Sequence, residues 1–450
     1  MSSRKLVIGL AVIIAAPLAL AQVLSLRTHG ALGDGQHDDT KAVQAAIDAA
    51  PAGAVLEGEG ARYSVRGSIR IERDLGLRDA TFVQADGADD DPELDSVRTL
   101  FVRGTPVRPV RISLSDVTVD RGRNPRGGSP AKAAGIWIAN AKDSLLERVR
   151  ITGNGRGTGL LLAEVRNVTV RDLQVYEMTW APCTRQAEGL PWSEVRRAWN
   201  EYRVVPMANC AREDTQRVRI EEPLAGVVVV RSQSVRLLAP HIDGLYALFS
   251  DGRRVPWQTD GITIGSDALD ADGQPIASDI VIDSPRVSRV WEGVDMSGQP
   301  LTRVQVRGAR VQDVHAIGIK VANGGRDIDV VGARVERSGL AGIVISGSNL
   351  VSRAWPAPHA IRIADSVVLD TGASGLWTGQ AGVAGIRIMN GSVEDPTGID
   401  IDGTRVEQRG SAAGMAHGLH AECRGAVHSL DLRSDGQERE AVQIAAQPCR

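Results

Sequence analysis

The 450-residue sequence predicts an all-β chain wound as a single-stranded parallel β-helix, a solenoid whose N-terminal end is capped by a helix. Three observations predict it. First, nine times between Gly135 and Gly398 a glycine is followed by an apolar–any–apolar triplet: GIWI (Gly135), GLLL (Gly159), GVVV (Gly226), GITI (Gly261), GVDM (Gly293), GIKV (Gly318), GIVI (Gly342), GLWT (Gly375) and GIDI (Gly398). Second, these copies start 24, 67, 35, 32, 25, 24, 33 and 23 residues apart. A period near 24 with insertions is too short for a propeller blade and carries no leucine-rich signature. Third, 49 glycines and only 3% aromatic residues require a core of small and branched aliphatic side chains stacked in rows. A formal net charge of −3 excludes the strongly basic footprint expected of a nucleic-acid partner.

The elements follow in chain order. Residues 1–21 read as an export signal: Arg4 and Lys5, an apolar run from Leu6 to Ala16, and Ala19-Leu20-Ala21 as the cleavage site. The run is too short to span a membrane, and no cysteine follows the cleavage site to carry a lipid. The expected product is therefore an exported protein (periplasmic or secreted) with no membrane anchor. Residues 22–450 form one β-helix domain. Within residues 27–50 the run GALGDGQHDDTKAVQAAIDAA predicts an N-terminal cap, with Asp38, Asp39 and Thr40 supplying capping oxygens to a helix that runs to Ala50. The helix would plug the first coil, whose strand edges are otherwise unpaired.

Two insertions interrupt the repeat. The larger, residues 178–222, holds Cys183, Cys210, Trp180, Trp192, Trp199 and Tyr202. A long loop of this kind either walls a binding site or packs its own tryptophans against the side of the solenoid. The second, LYALFSDGRRVPW, ends at Trp257. After about residue 411 the repeat lapses, predicting a C-terminal cap over 411–450. The four cysteines allow three pairings, and in an exported chain the local ones, Cys183–Cys210 and Cys423–Cys449, are favoured. No CxxC or clustered Cys/His spacing predicts a metal site, and no cofactor is implied. Asp267, Asp270 and Asp272 lack the remaining ligands of a calcium loop and read as turn formers.

The GDGQHDDT opening resembles the N-terminal signature of the pectate lyase superfamily, which includes polygalacturonases, rhamnogalacturonases and phage tailspike domains. The resemblance runs over roughly residues 27–425 and implies a right-handed β-helix, in keeping with the general handedness of such crossovers. It also implies chemistry on a polysaccharide. In polygalacturonases an N-T-D-G segment is followed by a D-D pair, a G-H-G segment and an R-I-K segment on later coils. Here QTDG (Asp260) resembles the first and WEG (Glu292) the second. HAIG (His315) resembles the third, and GIRI (Arg387) the fourth, ending in Met389 rather than lysine.

Strand alternation points the same way. Residues one and three after each glycine are almost all apolar and should face inward, while the residue two after it faces out. That outward column reads Trp137, Leu161, Val228, Thr263, Asp295, Lys320, Val344, Trp377 and Asp400. Asp260 and Glu292 stand immediately before their glycines, and His315 lies on the next coil. Two carboxyls, an imidazole and an ammonium on one face suit glycoside hydrolysis, in which one carboxyl protonates the leaving oxygen and another activates water or attacks carbon. The expected catalytic residues are Asp260, Glu292, Asp295 and His315. Lys320, Arg387, Trp257, Trp291 and Trp377 are expected to contact an acidic polysaccharide substrate. Two further readings stand beside hydrolysis. β-Elimination from a uronate would use His315 or Lys320 as base, although a lysine beside Asp295 keeps a high pKa. A non-catalytic glycan-binding or surface scaffold would use no acid at all. An Asp313–His315 pair is a weaker candidate, and His359, His417 and His420 read as surface or cap residues. The oligomeric state is left open.

Overall fold

A computed structural model describes residues 22–85, 98–122, 133–153, 157–180, 224–248, 254–255, 259–265, 276–298, 301–347, 357–372, 383–391, 394–409, 415–437 and 441–449. The chain is a parallel β-helix. Among the described residues one ladder has twelve strands, running from Ile69–Ile71 to Val442–Ile444, and a second has 22 strands. A representative coil supplies three strands, Ile317–Ala322, Gly325–Val331 and Arg334–Glu336. The next coil repeats them as Ala341–Ser346, His359–Ala364 and Val367–Leu369. Each strand pairs in parallel with its counterpart one coil on, as in Ile319↔Ile343 and Ile328↔Ile361. The predicted inward residues form the core: Ile262, Ile264, Val294, Met296, Ile319, Val321, Ile343 and Ile345 are completely buried. Each such side chain contributes roughly 1.5–3 kcal/mol relative to exposure.

The helix at the N-terminal end spans Thr40–Ala49 and buries Val43, Ala46 and Ile47. Its capping differs from expectation. Asp38 Oδ1 accepts the Thr40 N–H at 3.1 Å, but Asp39 makes no side-chain bond to the helix. Instead the buried Asp39 carboxylate accepts the N–H groups of Leu32 (2.7 Å) and Gly33 (3.0 Å), tying the preceding turn to the helix.

The register corrects two copies of the repeat. Beyond Gly342 the ladder continues through Ala384–Met389 and His417–Ala421, so the next glycines are Gly385 and Gly418. Gly398 belongs to Thr397–Glu407 in the other ladder, where Asp400 pairs with Arg362 and accepts from Ser429 Oγ. Gly375 lies outside the described residues. GIRI and GLHA carry the same glycine–apolar–any–apolar pattern as the true rungs, and spacing alone did not separate them from the competing copies. The ladder also persists to Val442–Ile444, beyond the point where the repeat lapses by eye. The Cys423–Cys449 disulfide is present and fastens this end. Residues 1–21 and the Cys183–Cys210 pair lie outside the described residues.

Candidate functional site

The glycine of each rung is set by a close approach. A Cβ at Gly261 would stand 2.4 Å from Val287 Cγ1 and 2.5 Å from the Gly293 carbonyl oxygen, distances no side chain tolerates. Pairing skips this residue, running from Ala225↔Asp260 to Val227↔Ile262. The strand bends there, and the residue before the glycine turns to the same side as the residue two after it. Thr263 Oγ1 accordingly lies 3.5 Å from Asp260 Oδ2, a contact that the strict alternation of a straight strand would forbid. Two outward columns therefore run side by side along this face. One contains Glu292, Ile317, Ala341, Ala384 and His417; the other contains Thr263, Asp295, Lys320, Val344, Arg387 and His420.

Where both columns are polar, a cluster forms. Asp260, Glu292 and Asp295 each place one carboxylate oxygen within 4.8 Å of the others. Lys320 Nζ lies 3.0 Å from Glu292 Oε2 and 3.7 Å from Asp295 Oδ1. Asp260 is completely buried, and the side chains of Asp295 and Glu292 are only 4% and 7% exposed; that of Lys320, at 20%, forms the mouth of the cluster. Oδ1 of both aspartates is buried without a hydrogen-bond partner among the described residues. Three carboxylates so placed offer three of the six or more oxygen donors that a divalent cation takes, but the Lys320 ammonium already brings a positive charge to two of them.

Burial and proximity separate the proton affinities. Burial, followed by the neighbouring Glu292 and Asp295, raises the Asp260 pKa well above its ordinary value and favours its protonated form. Burial also raises Glu292 to about 7, with Lys320 opposing the shift. Burial alone would lower the Lys320 pKa, but Asp295, Glu292 and Asp260 reverse the effect and hold it as an ammonium. Such a set contains a carboxyl biased toward its protonated form, a group poised to exchange a proton near neutrality and a fixed cation.

The other expected site residues are placed differently. His315 sits at the turn before Ile317–Ala322, its N–H bonded to the Val290 carbonyl, and burial lowers its pKa. Asp313 is not its partner: both carboxylate oxygens accept from Arg337, at 2.6 and 2.8 Å. Trp291 was expected against substrate but is buried in an outer apolar cluster with Ile317, Ala341, Val344 and Val383. Its place before Glu292 turns it onto the sheet. Arg387 stands two rungs beyond Lys320 and pairs with Glu422 at 2.9 Å. Trp257 and Trp377 lie outside the described residues. The sequence reading missed His417, His420 and Glu422 as members of this face, because Gly418 was not recognised as a rung.

The comparisons with known proteins fit this architecture. A family model described as the N-terminal extension of bacteriophage endosialidase matches residues 31–83. No curated protein sequence matches the chain. Among solved structures, the A-module of mannuronan C-5 epimerase AlgE4 from Azotobacter vinelandii is similar with a TM-score of 0.60 at 14% identity, covering 94% of this chain and 98% of that one. A tailspike double mutant of E. coli bacteriophage HK620 gives 0.59 at 10% identity, covering 91% and 65%. The Streptococcus pneumoniae surface adhesin PfbA gives 0.55 at 14% identity, covering 94% and 91%. At these identities the likeness is one of fold.

Proposed function

We propose that this protein is an exported enzyme that cleaves glycosidic bonds of a polysaccharide at the Asp260–Glu292–Asp295–Lys320 cluster. The observation that carries the reading is three carboxyls within 4.8 Å of one another, with their proton affinities driven apart by burial and by one lysine. Solved structures of similar fold include an epimerase named for mannuronan and a tailspike in complex with a hexasaccharide, which supports a glycan as the substrate.

Glu292, with its pKa raised to about 7, donates a proton to the leaving glycosidic oxygen and later withdraws one from water. Asp295, ion-paired to Lys320, attacks the anomeric carbon. Glycosidases with carboxyl groups about 5–5.5 Å apart retain anomeric configuration, whereas those about 6.5–9.5 Å apart invert it. A nucleophilic Asp295 makes the proposed reaction a retaining one. Asp260, expected from sequence as one of the acid/base pair, lies too deep to touch substrate. Its role is to stand beside Glu292 with a raised proton affinity, which reduces the negative charge of the pocket.

The test is incubation with neutral and acidic polysaccharides, followed in parallel by reducing-end release and ultraviolet absorbance of unsaturated uronates. Reducing ends without the ultraviolet signal are expected. Both signals rising together would replace hydrolysis with elimination, and silence across the set would leave a glycan-binding scaffold.

A further inference from the structure

The same two columns become polar together a second time, farther along the helix axis. Ala384 and Arg387 are followed one rung on by His417 and His420. Arg387 Nη2 donates to Glu422 Oε1 at 2.9 Å, while Glu422 Oε2 accepts the Asn390 N–H at 3.1 Å. Asn390 Nδ2 also donates to the Glu422 carbonyl at 3.2 Å. The His417 and His420 rings are 5.2 Å apart between centroids. His420 Nδ1 and Asn390 Oδ1 are buried without a hydrogen-bond partner among the described residues. Leaving such atoms unpaired costs about 1–3 kcal/mol each, which a bound hydroxyl would recover.

We propose that Arg387, Asn390, His420 and Glu422 form a second subsite that binds a neutral sugar unit of the same polymer, laid along the helix axis. The inference rests on the reading that this face binds a glycan. Arg387 stands two rungs from Lys320, or about 10 Å at one strand spacing per rung. Between them lies an apolar stretch, with Val344 buried and Leu340 and Met389 at the edge. An apolar floor flanked by a few convergent polar groups is the usual make-up of a ligand site.

Charge selects the sugar. A uronate needs an unneutralised cation, but the Arg387 guanidinium is held by Glu422 and the Lys320 ammonium by Glu292 and Asp295. The Glu422 side chain is 28% exposed and would repel an acidic unit. Burial, with His417 and Arg387 beside it, lowers the His420 pKa and keeps the ring neutral at pH 7. Paired Arg and Glu side chains offer donors and acceptors together, which matches vicinal hydroxyls. The acidic polymer expected from the sequence is thus replaced by one with neutral units at this position.

The test is calorimetric titration of the full chain with short and long xylo-, manno- and cello-oligosaccharides, and with oligogalacturonates and oligomannuronates. The double variant Arg387→Gln/Glu422→Gln removes both charges without orphaning either, and His420→Ala supplies an independent perturbation; thermal melts verify that each is folded. The wild type should bind long neutral oligomers better than short ones. Each variant should lose about tenfold on the long oligomers, 1.4 kcal/mol, and nothing on the short. Preference for the acidic oligomers, unchanged affinity in both variants, or no binding by any oligomer would overturn the proposal. Length-dependent binding without release of reducing ends would uphold the subsite and remove the cleavage reading.

Discussion

Replacing Glu292 with glutamine tests the electrostatics of the cluster through stability, independently of any substrate. The folded state raises the Glu292 pKa from 4.5 to about 7. A carboxyl whose folded pKa is raised contributes stability that is fully present below its unfolded pKa. That stability is lost as pH rises through the folded pKa. The window is therefore pH 4.5 to 7, and at 1.4 kcal/mol per pH unit the loss reaches about 3 kcal/mol by pH 8. Glutamine keeps the shape and an acceptor for Lys320 Nζ but does not titrate. Lys320 retains Asp295 at 3.7 Å as its counter-charge. Burial raises the Asp260 pKa in both proteins, and losing the Glu292 charge relaxes that shift in the variant, which adds to the difference in the same direction. Urea unfolding at pH 5, 6.5 and 8 should show the variant gaining on wild type by about 3 kcal/mol from the lowest to the highest pH. Parallel stability curves would refute the reasoning, because they would mean that Glu292 ionises as freely in the folded protein as in the unfolded chain.

Three further outcomes follow from the same geometry. Asp260→Asn replaces a buried carboxyl, whose protonated form burial favours, by a neutral isostere and should change stability at pH 7 by less than about 1 kcal/mol while retaining most activity, as read by thermal melts and turnover. Lys320→Met leaves buried carboxylates without their cation and should cost about 3–5 kcal/mol at pH 8 by urea unfolding, with Lys320→Met/Glu292→Gln recovering part of the loss. Gly261→Ala forces a Cβ to within 2.4 Å of Val287 Cγ1 and should cost about 1–3 kcal/mol or more in the same assay.

The fold was legible because a stacked solenoid repeats its constraint at every coil: Ile262, Val294, Ile319 and Ile343 announce the inward column by period alone. The site was legible in part for the same reason, since Asp295 and Lys320 share a column and are indeed adjacent. Two features escaped. The bend at each glycine, which carries Asp260 and Glu292 to the outer face, comes from backbone contact with the neighbouring coil, and a period of two contains no trace of it. The rungs at Gly385 and Gly418 were hidden by insertions that displaced the spacing, so Arg387 was placed by resemblance while His417 and His420 were passed over. Trp291 shows the opposite error: an aromatic residue beside an acid suggested sugar stacking, but its position turns it into an apolar cluster.

The most direct test of the central claim is the rate of reducing-end release by Glu292→Gln relative to wild type on a polysaccharide that both bind. General acid–base catalysis by Glu292 predicts a loss of about 10²–10⁴-fold with affinity preserved. Equal rates at equal affinity would contradict it and remove Glu292 from the chemistry.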